Sequence, residues 1–116
     1  MAVRVVEYVR EDGSNPYKRW FDGLHAQAAT KVAVARARLE AGNRSNLKRI
    51  GSIAEYRIDW GPGYRIYLAV EGSTMIILFG GGTKKGQQSD IRRAQQLFDA
   101  YETRKAAASR GQSGTR

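Results

Sequence analysis

The chain has no cysteine and a single histidine among its 116 residues. Disulfides and thiolate chemistry are excluded, and so is a metal centre built from cysteine and histidine clusters. His25 stands beside Leu24 near the start of a helical pattern and reads as a surface or capping residue, so a histidine-based acid/base mechanism is not expected. No apolar run approaches a membrane span, and the opening Met-Ala-Val-Arg-Val-Val-Glu lacks a signal-peptide core. The expectation is a soluble, cytoplasmic protein. The glycines at 80–82 form no phosphate-binding loop, because no Gly-Lys-Ser/Thr opens the following helix. No metal and no cofactor are expected.

Negative charge is also scarce. Eleven acidic residues face twenty Lys and Arg, giving a net charge of +9 and a pI of about 10.3. A small domain so basic suits a polyanionic partner such as RNA, DNA or the ribosome, or an acidic protein inhibitor. Residues 105–116 hold three positive charges, no negative charge and no large apolar side chain, and read as a disordered basic tail. One domain is expected over 1–104, and it is basic without the tail.

The remaining chain alternates between two periods. Residues 2–9 read as a short strand. Asn15-Pro16 opens a short helix with Tyr17, Trp20, Phe21 and Leu24 at helical spacing, and core packing is expected for Trp20. Leu24, Ala28, Val32, Ala35 and Leu39 then form the stripe of a helix over about 25–41, stopped by Gly42-Asn43. A polar, basic link covers 43–52. Strands follow at 53–60 and 64–71 around Gly61-Pro62-Gly63, and a nearly all-apolar strand at 74–80. The glycine-rich 80–86 reads as a flexible loop, and a last helix spans about 88–104 with Ser89 as its N-cap. The order β-α-α-β-β-β-α predicts an α+β domain with helices on one face of a mostly antiparallel twisted sheet.

The hairpin carries the chemistry. Ala54, Tyr56, Ile58 and Trp60, then Tyr64, Ile66, Leu68 and Val70, fall on one face; Glu55, Arg57 and Asp59, then Arg65, Tyr67 and Glu71, fall on the other. Pairing Trp60 with Tyr64 sets Asp59 against Arg65 and Arg57 against Tyr67. Two readings stay open. Arg57 and Arg65 can converge on one phosphate, with Lys84 and Lys85 joining from the next loop, as an anion cradle for a phosphorane-like transition state. Alternatively Asp59 neutralises Arg65 as a cross-strand pair, Arg57 stacks on Tyr67, and the lysines are solvated. Lys31, Arg36 and Arg38 on the long helix form either a solvated face or a docking surface for nucleic acid or an acidic partner.

Glu55-Tyr56-Arg57-Ile58-Asp59-Trp60-Gly61-Pro62-Gly63-Tyr64-Arg65-Ile66-Tyr67, followed by Phe79 to Ile91, resembles the addiction-module killer proteins of the RelE/ParE superfamily, in the phage-related, HigB-like branch. Asn15-Pro16 and the approach Leu47-Lys48-Arg49 fit as well, so the resemblance covers roughly residues 3–103. It implies a RelE-like fold: a twisted, mostly antiparallel four-stranded sheet, two N-terminal helices packed on it and a C-terminal helix. It further implies the toxin of a type II toxin–antitoxin pair, a metal-independent, ribosome-dependent mRNA endonuclease. A cognate helix-turn-helix antitoxin encoded downstream would neutralise it in a hetero-oligomer. A ParE-like gyrase poison and a catalytically inactive antitoxin- or nucleic-acid-binding module are the competing expectations. Carried over by position, Arg57, Arg65, Lys84 and Lys85 take the catalytic basic positions, and Lys48 and Arg49 join the helix cations as RNA contacts. Asp59 departs from the family, holding the second basic position of its strand, and Ile91 stands for a tyrosine. The general base is left to Asp59, Tyr67 or Asp90.

Overall fold

The structure, a computed structural model, describes residues 3–114, with side chains through Arg110. Its elements are β1 (Arg4–Glu7), α1 (Pro16–Asp22), α2 (Ala26–Glu40), β2 (Leu47–Ile50), β3 (Ile53–Ile58), β4 (Tyr64–Glu71), β5 (Met75–Thr83), a 3₁₀ turn (Lys84–Gly86) and α3 (Gln87–Gly114). The sheet order is β1-β5-β4-β3-β2. β1 runs parallel to β5, and every other neighbour is antiparallel. The α+β class therefore holds, but the sheet is mixed and has five strands rather than four. The added strand is β2, inside the segment read as a basic link. Leu47 and Ile50 anchor it to opposite core faces, Gly51 takes a positive φ of 61° to turn the chain, and Ile50 pairs with Ile53. The cations at 48 and 49 hid those two anchors.

The local signals act as their chemistry requires. Asn15 caps α1, its side chain accepting from Lys18 N at 3.0 Å, and Pro16 fills the position whose N–H has no helical partner. His25 caps α2, Nδ1 accepting from Ala28 N at 3.3 Å. The stripe Ala28, Val32, Ala35 and Leu39 is buried against Ala54, Tyr56, Ile66, Leu68, Ile76 and Leu78 of the sheet. Ser89 is not an N-cap. The 3₁₀ turn starts the last helix earlier, and Ser89 Oγ donates to Gly86 O at 3.3 Å.

The helices do not share one face. α1 and α2 cover the first core, while Ala94, Leu97, Ile91, Phe98 and Tyr101 of α3 pack on Ile53, Tyr67, Ala69, Ile77 and Phe79 behind the sheet. Three layers result, and the hairpin's polar stripe lies beneath α3 along much of its length. α3 also runs past the 104/105 boundary read from composition. Ala106, Ala107 and Ala108 are strong helix formers, and Lys105 Nζ lies 3.0 Å from both Glu71 and Glu102. Residues 115 and 116 of the expected tail lie outside the described residues. Among the described residues no helix is long and apolar enough to cross a membrane.

The glycines at 80–82 are strand, not loop. Tyr67 faces Gly80 and Leu68 faces Leu78, so Phe79 is the extra residue of a β-bulge that re-phases β5. A Cβ at Gly81 would run into the Trp20 ring of α1, and one at Gly82 into the Asp90 carboxylate of α3. Opposite neighbours thus press on consecutive residues of one strand, and only glycine admits both. Gly80 has open space around its Cα. Gly81→Ala is expected to cost about 1–3 kcal/mol. Gly80→Ala should stay within about 0.5 kcal/mol, a contrast that urea denaturation of the two variants reads directly.

Candidate phosphate site

The hairpin pairs Ile58 with Tyr64, not Trp60 with Tyr64. Gly61 and Gly63 adopt positive φ of 58° and 78°, Trp60 N donates back to Ile58 O at 2.9 Å, and the connection widens to residues 59–63. The slip is two residues, so each side chain keeps its face while its partner changes. Arg57 now stands opposite Arg65, and Glu55 opposite Tyr67. Asp59 leaves the sheet, is exposed, and does not neutralise Arg65.

Two like charges across adjacent strands need a counter-ion. Glu55 supplies it from a position with no solvent exposure. Oε1 accepts from Arg57 Nε at 2.8 Å, Oε2 from Gln87 Nε2 at 3.0 Å, and Arg65 Nε lies 3.7 Å from Oε2. Arg65 Nη1 donates to Gly63 O at 2.7 Å, and the Lys84 amide donates to the same oxygen at 3.0 Å. The start of the lysine turn is thereby tied to the tip of the hairpin, and Arg57, Arg65 and Lys84 gather at one corner of the sheet. Their accessibility differs. The Arg57 side chain is 46% exposed and that of Arg65 10%, while Lys84 and Lys85 are exposed. An incoming anion meets Arg57 and the lysine turn first, with Arg65 as the buried charge behind them.

The other candidates separate. Tyr67 is buried, and among the described residues its hydroxyl has no hydrogen-bond partner. Burial pushes that hydroxyl up to about 12, the Glu55 and Asp90 carboxylates add to the effect and Arg65 opposes it. A group protonated so far above neutrality donates; it does not serve as a base. Burial likewise raises the Asp90 carboxyl, against the opposing charge of Arg93 at 3.4 Å. Lys31 and Arg38 line a cleft of about 340 Å³ with Arg57 and Asp59, and Lys31 Nζ lies 5.5 Å over Trp60. Arg36 is spoken for: Nη1 meets Glu7 at 2.5 Å, and the guanidinium lies over Tyr17. Lys48 faces Glu55 in the register and Arg49 faces Ala54, so these two exposed cations project to opposite faces.

Sequence reasoning missed Glu55 and Gln87 as parts of the site. Glu55 lay on the polar stripe two residues before Arg57, at a spacing that places both on one face. Asp59, drawn opposite Arg65 by the tighter turn, took its role as counter-ion.

No model of a known protein family matches the chain. The sequence is 36% identical over 83 residues to an uncharacterized protein of Haemophilus influenzae (strain ATCC 51907 / DSM 11121 / KW20 / Rd), a match covering 70% of this chain and 84% of that protein.

Removing the counter-ion should be costly. Glu55→Ala leaves two opposed guanidiniums without a counter-ion, and Arg57 Nε and the Gln87 amide without their acceptor, and a loss on the order of 3 kcal/mol is expected in denaturant titration. Glu55→Gln, which keeps the shape, should lose less. Asp90 gives a pH signature. Its raised folded-state pKa makes its contribution to stability fullest below the unfolded value, and that contribution falls as pH rises through the folded value. Asp90→Asn should therefore melt higher than the parent at pH 7, and the difference should vanish near pH 3, roughly where an unfolded aspartate is protonated. Paired thermal melts at the two pH values check the sign.

Proposed function

We propose that the chain, which belongs to the same family as that Haemophilus influenzae protein, is a RelE/ParE-superfamily toxin of a type II toxin–antitoxin pair, acting as a metal-independent mRNA endonuclease on the ribosome, a reading that rests on this chain's own motif and cationic corner. The observation that carries the reading is the opposed pair Arg57 and Arg65, held at one corner of the sheet by Glu55 with Lys84 tied alongside through Gly63 O. The basic body of the chain and the motif from Glu55 to Tyr67 agree with it. The five-stranded sheet with α1 and α2 on one face and α3 on the other is, in this reading, a RelE-like fold carrying an added edge strand.

The chemistry asked of the cations is charge stabilisation. A ribose 2′-oxygen attacks the adjacent phosphorus as its proton passes to water, the bond to the 5′-oxygen breaks, that oxygen takes a proton from water, and a 2′,3′-cyclic phosphate and a 5′-hydroxyl result. Negative charge accumulates on the phosphoryl oxygens as the bonds exchange. Arg57 can reach such an oxygen in bidentate fashion, and Lys84 adds a point charge beside it. Arg65 contributes from behind by its field and by fixing Gly63 O. Cations of β2 and of the α2 cleft, Lys48, Lys31 and Arg38, extend the positive surface along which an RNA strand is steered. A helix-turn-helix antitoxin in a hetero-oligomer is the partner the reading implies, and the cytoplasm its compartment.

Expression without an antitoxin, with mapping of mRNA 5′ ends, tests the reading. New 5′ ends inside translated regions and growth arrest are expected. Arg57→Ala should reduce cleavage by about 10²-fold or more and also lower the melting temperature, because it strips the buried Glu55 carboxylate of its directly bonded cation. Cleavage is therefore read well below the variant's unfolding transition. Undiminished cleavage by Arg57→Ala and Arg65→Ala alike would remove the cationic site from the mechanism. Intact mRNA with DNA-damage signalling would mark a gyrase poison, and harmless expression an inactive binding module.

A further inference from the structure

A larger cavity, of about 550 Å³, opens between α1, the glycine stretch of β5 and the first turns of α3. None of Arg57, Arg65 and Lys84 lines it. The volume falls in the range of roughly 300–1,000 Å³ typical of small-molecule sites. Its walls carry two kinds of group. Trp20 and Phe79 supply aromatic surface at the height of Gly80 and Gly81. The polar groups include Arg10, Arg19, Tyr67 and Asp90, together with Arg93, the ion-pair partner of Asp90, and the uncharged Ser14, Asn15 and Gln96.

One of those polar groups is buried without a partner, and two others are exposed cations at the mouth of the cavity. The Tyr67 hydroxyl is buried and makes no hydrogen bond among the described residues, an arrangement that native interiors rarely tolerate without a use. Arg10 and Arg19 are exposed and make no side-chain hydrogen bond or ion pair among the described residues. Asp90 is only 16% exposed, and among the described residues its ion pair is a 3.4 Å contact with exposed Arg93. The cavity therefore offers an aromatic wall, a buried hydroxyl donor, a carboxylate acceptor held loosely by Arg93, and the exposed cations Arg10 and Arg19. A planar ring with hydrogen-bonding edges, attached to an anion, satisfies all of them together.

We propose that this cavity is a guanine-nucleotide site, in which Asp90 accepts from the base N1–H and exocyclic N2–H, Tyr67 donates to O6, and Arg10 and Arg19 meet the phosphate. The choice of base follows from the carboxylate. An ionised carboxylate only accepts, and guanine is the base that offers it two adjacent N–H donors on one edge. Adenine and cytosine set a ring-nitrogen acceptor beside a single amino group and would oppose the charge. Flipped-out bases are read in this way, on their Watson–Crick edge against an aromatic surface. The ligand can be a free guanine nucleotide or a guanosine within single-stranded RNA. Only the second source rests on the nuclease reading, where it would give that nuclease a base preference.

Calorimetric titration of the full chain tests the proposal without reference to growth arrest or cleavage. The probes are 5′-GMP, 5′-IMP, 5′-AMP, inorganic phosphate, and a pentanucleotide UUGUU with its inosine counterpart. Inosine lacks only the N2 amino group, so IMP is expected to bind roughly tenfold more weakly than GMP. AMP and phosphate should bind more weakly still. Tyr67→Phe and Asp90→Asn should each weaken GMP by about tenfold. The double variant Arg10→Ala/Arg19→Ala should weaken GMP while leaving guanosine binding unchanged. Tighter binding of UUGUU than of GMP assigns the site to RNA, and the reverse order to a free nucleotide. Equal affinity for GMP, IMP and phosphate would reduce the cavity to a surface anion patch and overturn the proposal, as would absence of heat with every probe. The GMP–IMP comparison uses the unmodified protein, so a variant that fails to fold does not spoil the test.

Discussion

A carboxylate with no contact to solvent, Glu55, is the constraint around which the polar half of the sheet is arranged. Two guanidiniums that face each other on neighbouring strands repel, and burying one of them without an anion is more costly still. Glu55 meets both conditions from one position, binding Arg57 directly and lying within 4 Å of Arg65, while Gln87 at the head of α3 takes a remaining lone pair. The hairpin register, the wide five-residue connection and the docking of the last helix are mutually dependent through this one side chain. The arrangement also grades the charges. One arginine is free enough to meet a ligand, and the other is held where its field is felt, its Nη1 bonded to Gly63 O.

The back of the sheet obeys a second constraint, steric rather than electrostatic. The bulge at Phe79 re-phases β5 so that successive glycines face α1 and α3. Trp20 and Asp90 approach the strand closely enough that no side chain fits beneath either. This closeness leaves the space beside Gly80, lined by Arg10, Arg19 and Tyr67, as a cavity rather than packed core. The two polar regions of the molecule, one around Glu55 and one around Asp90, therefore have separate walls while sharing β4, through Arg65 and Tyr67.

Much of this was legible in the residues. Period-2 alternation assigned the paired side chains of 54–58 and 64–71 to their correct faces, because the register differs by two residues and a two-residue slip preserves faces, while Asp59 and Trp60 fall outside the sheet. Asn15-Pro16 and the Ala28–Leu39 stripe located both early helices. Other features had no local signal. β2 carries a single apolar residue for each core, flanked by adjacent cations that mimic a loop. That α3 crosses behind the sheet is a property of chain path, and it turns a stripe that looks solvent-facing, Glu55, Arg65 and Tyr67, into buried ground. The turn geometry at Gly61-Pro62-Gly63 decided whether Asp59 or Glu55 would serve as counter-ion, and two glycines with positive φ give several ways to close such a loop.

The carbonyl of Gly63 has a mechanical meaning beyond its hydrogen bonds. It accepts at once from the Arg65 side chain and from the Lys84 main chain, two residues nineteen positions apart along the sequence but adjacent at this corner. Hairpin tip and lysine turn are coupled as if riveted at a single atom. A load that lifts the tip carries the cations of the turn with it, and a clamp on the turn stiffens the tip in return.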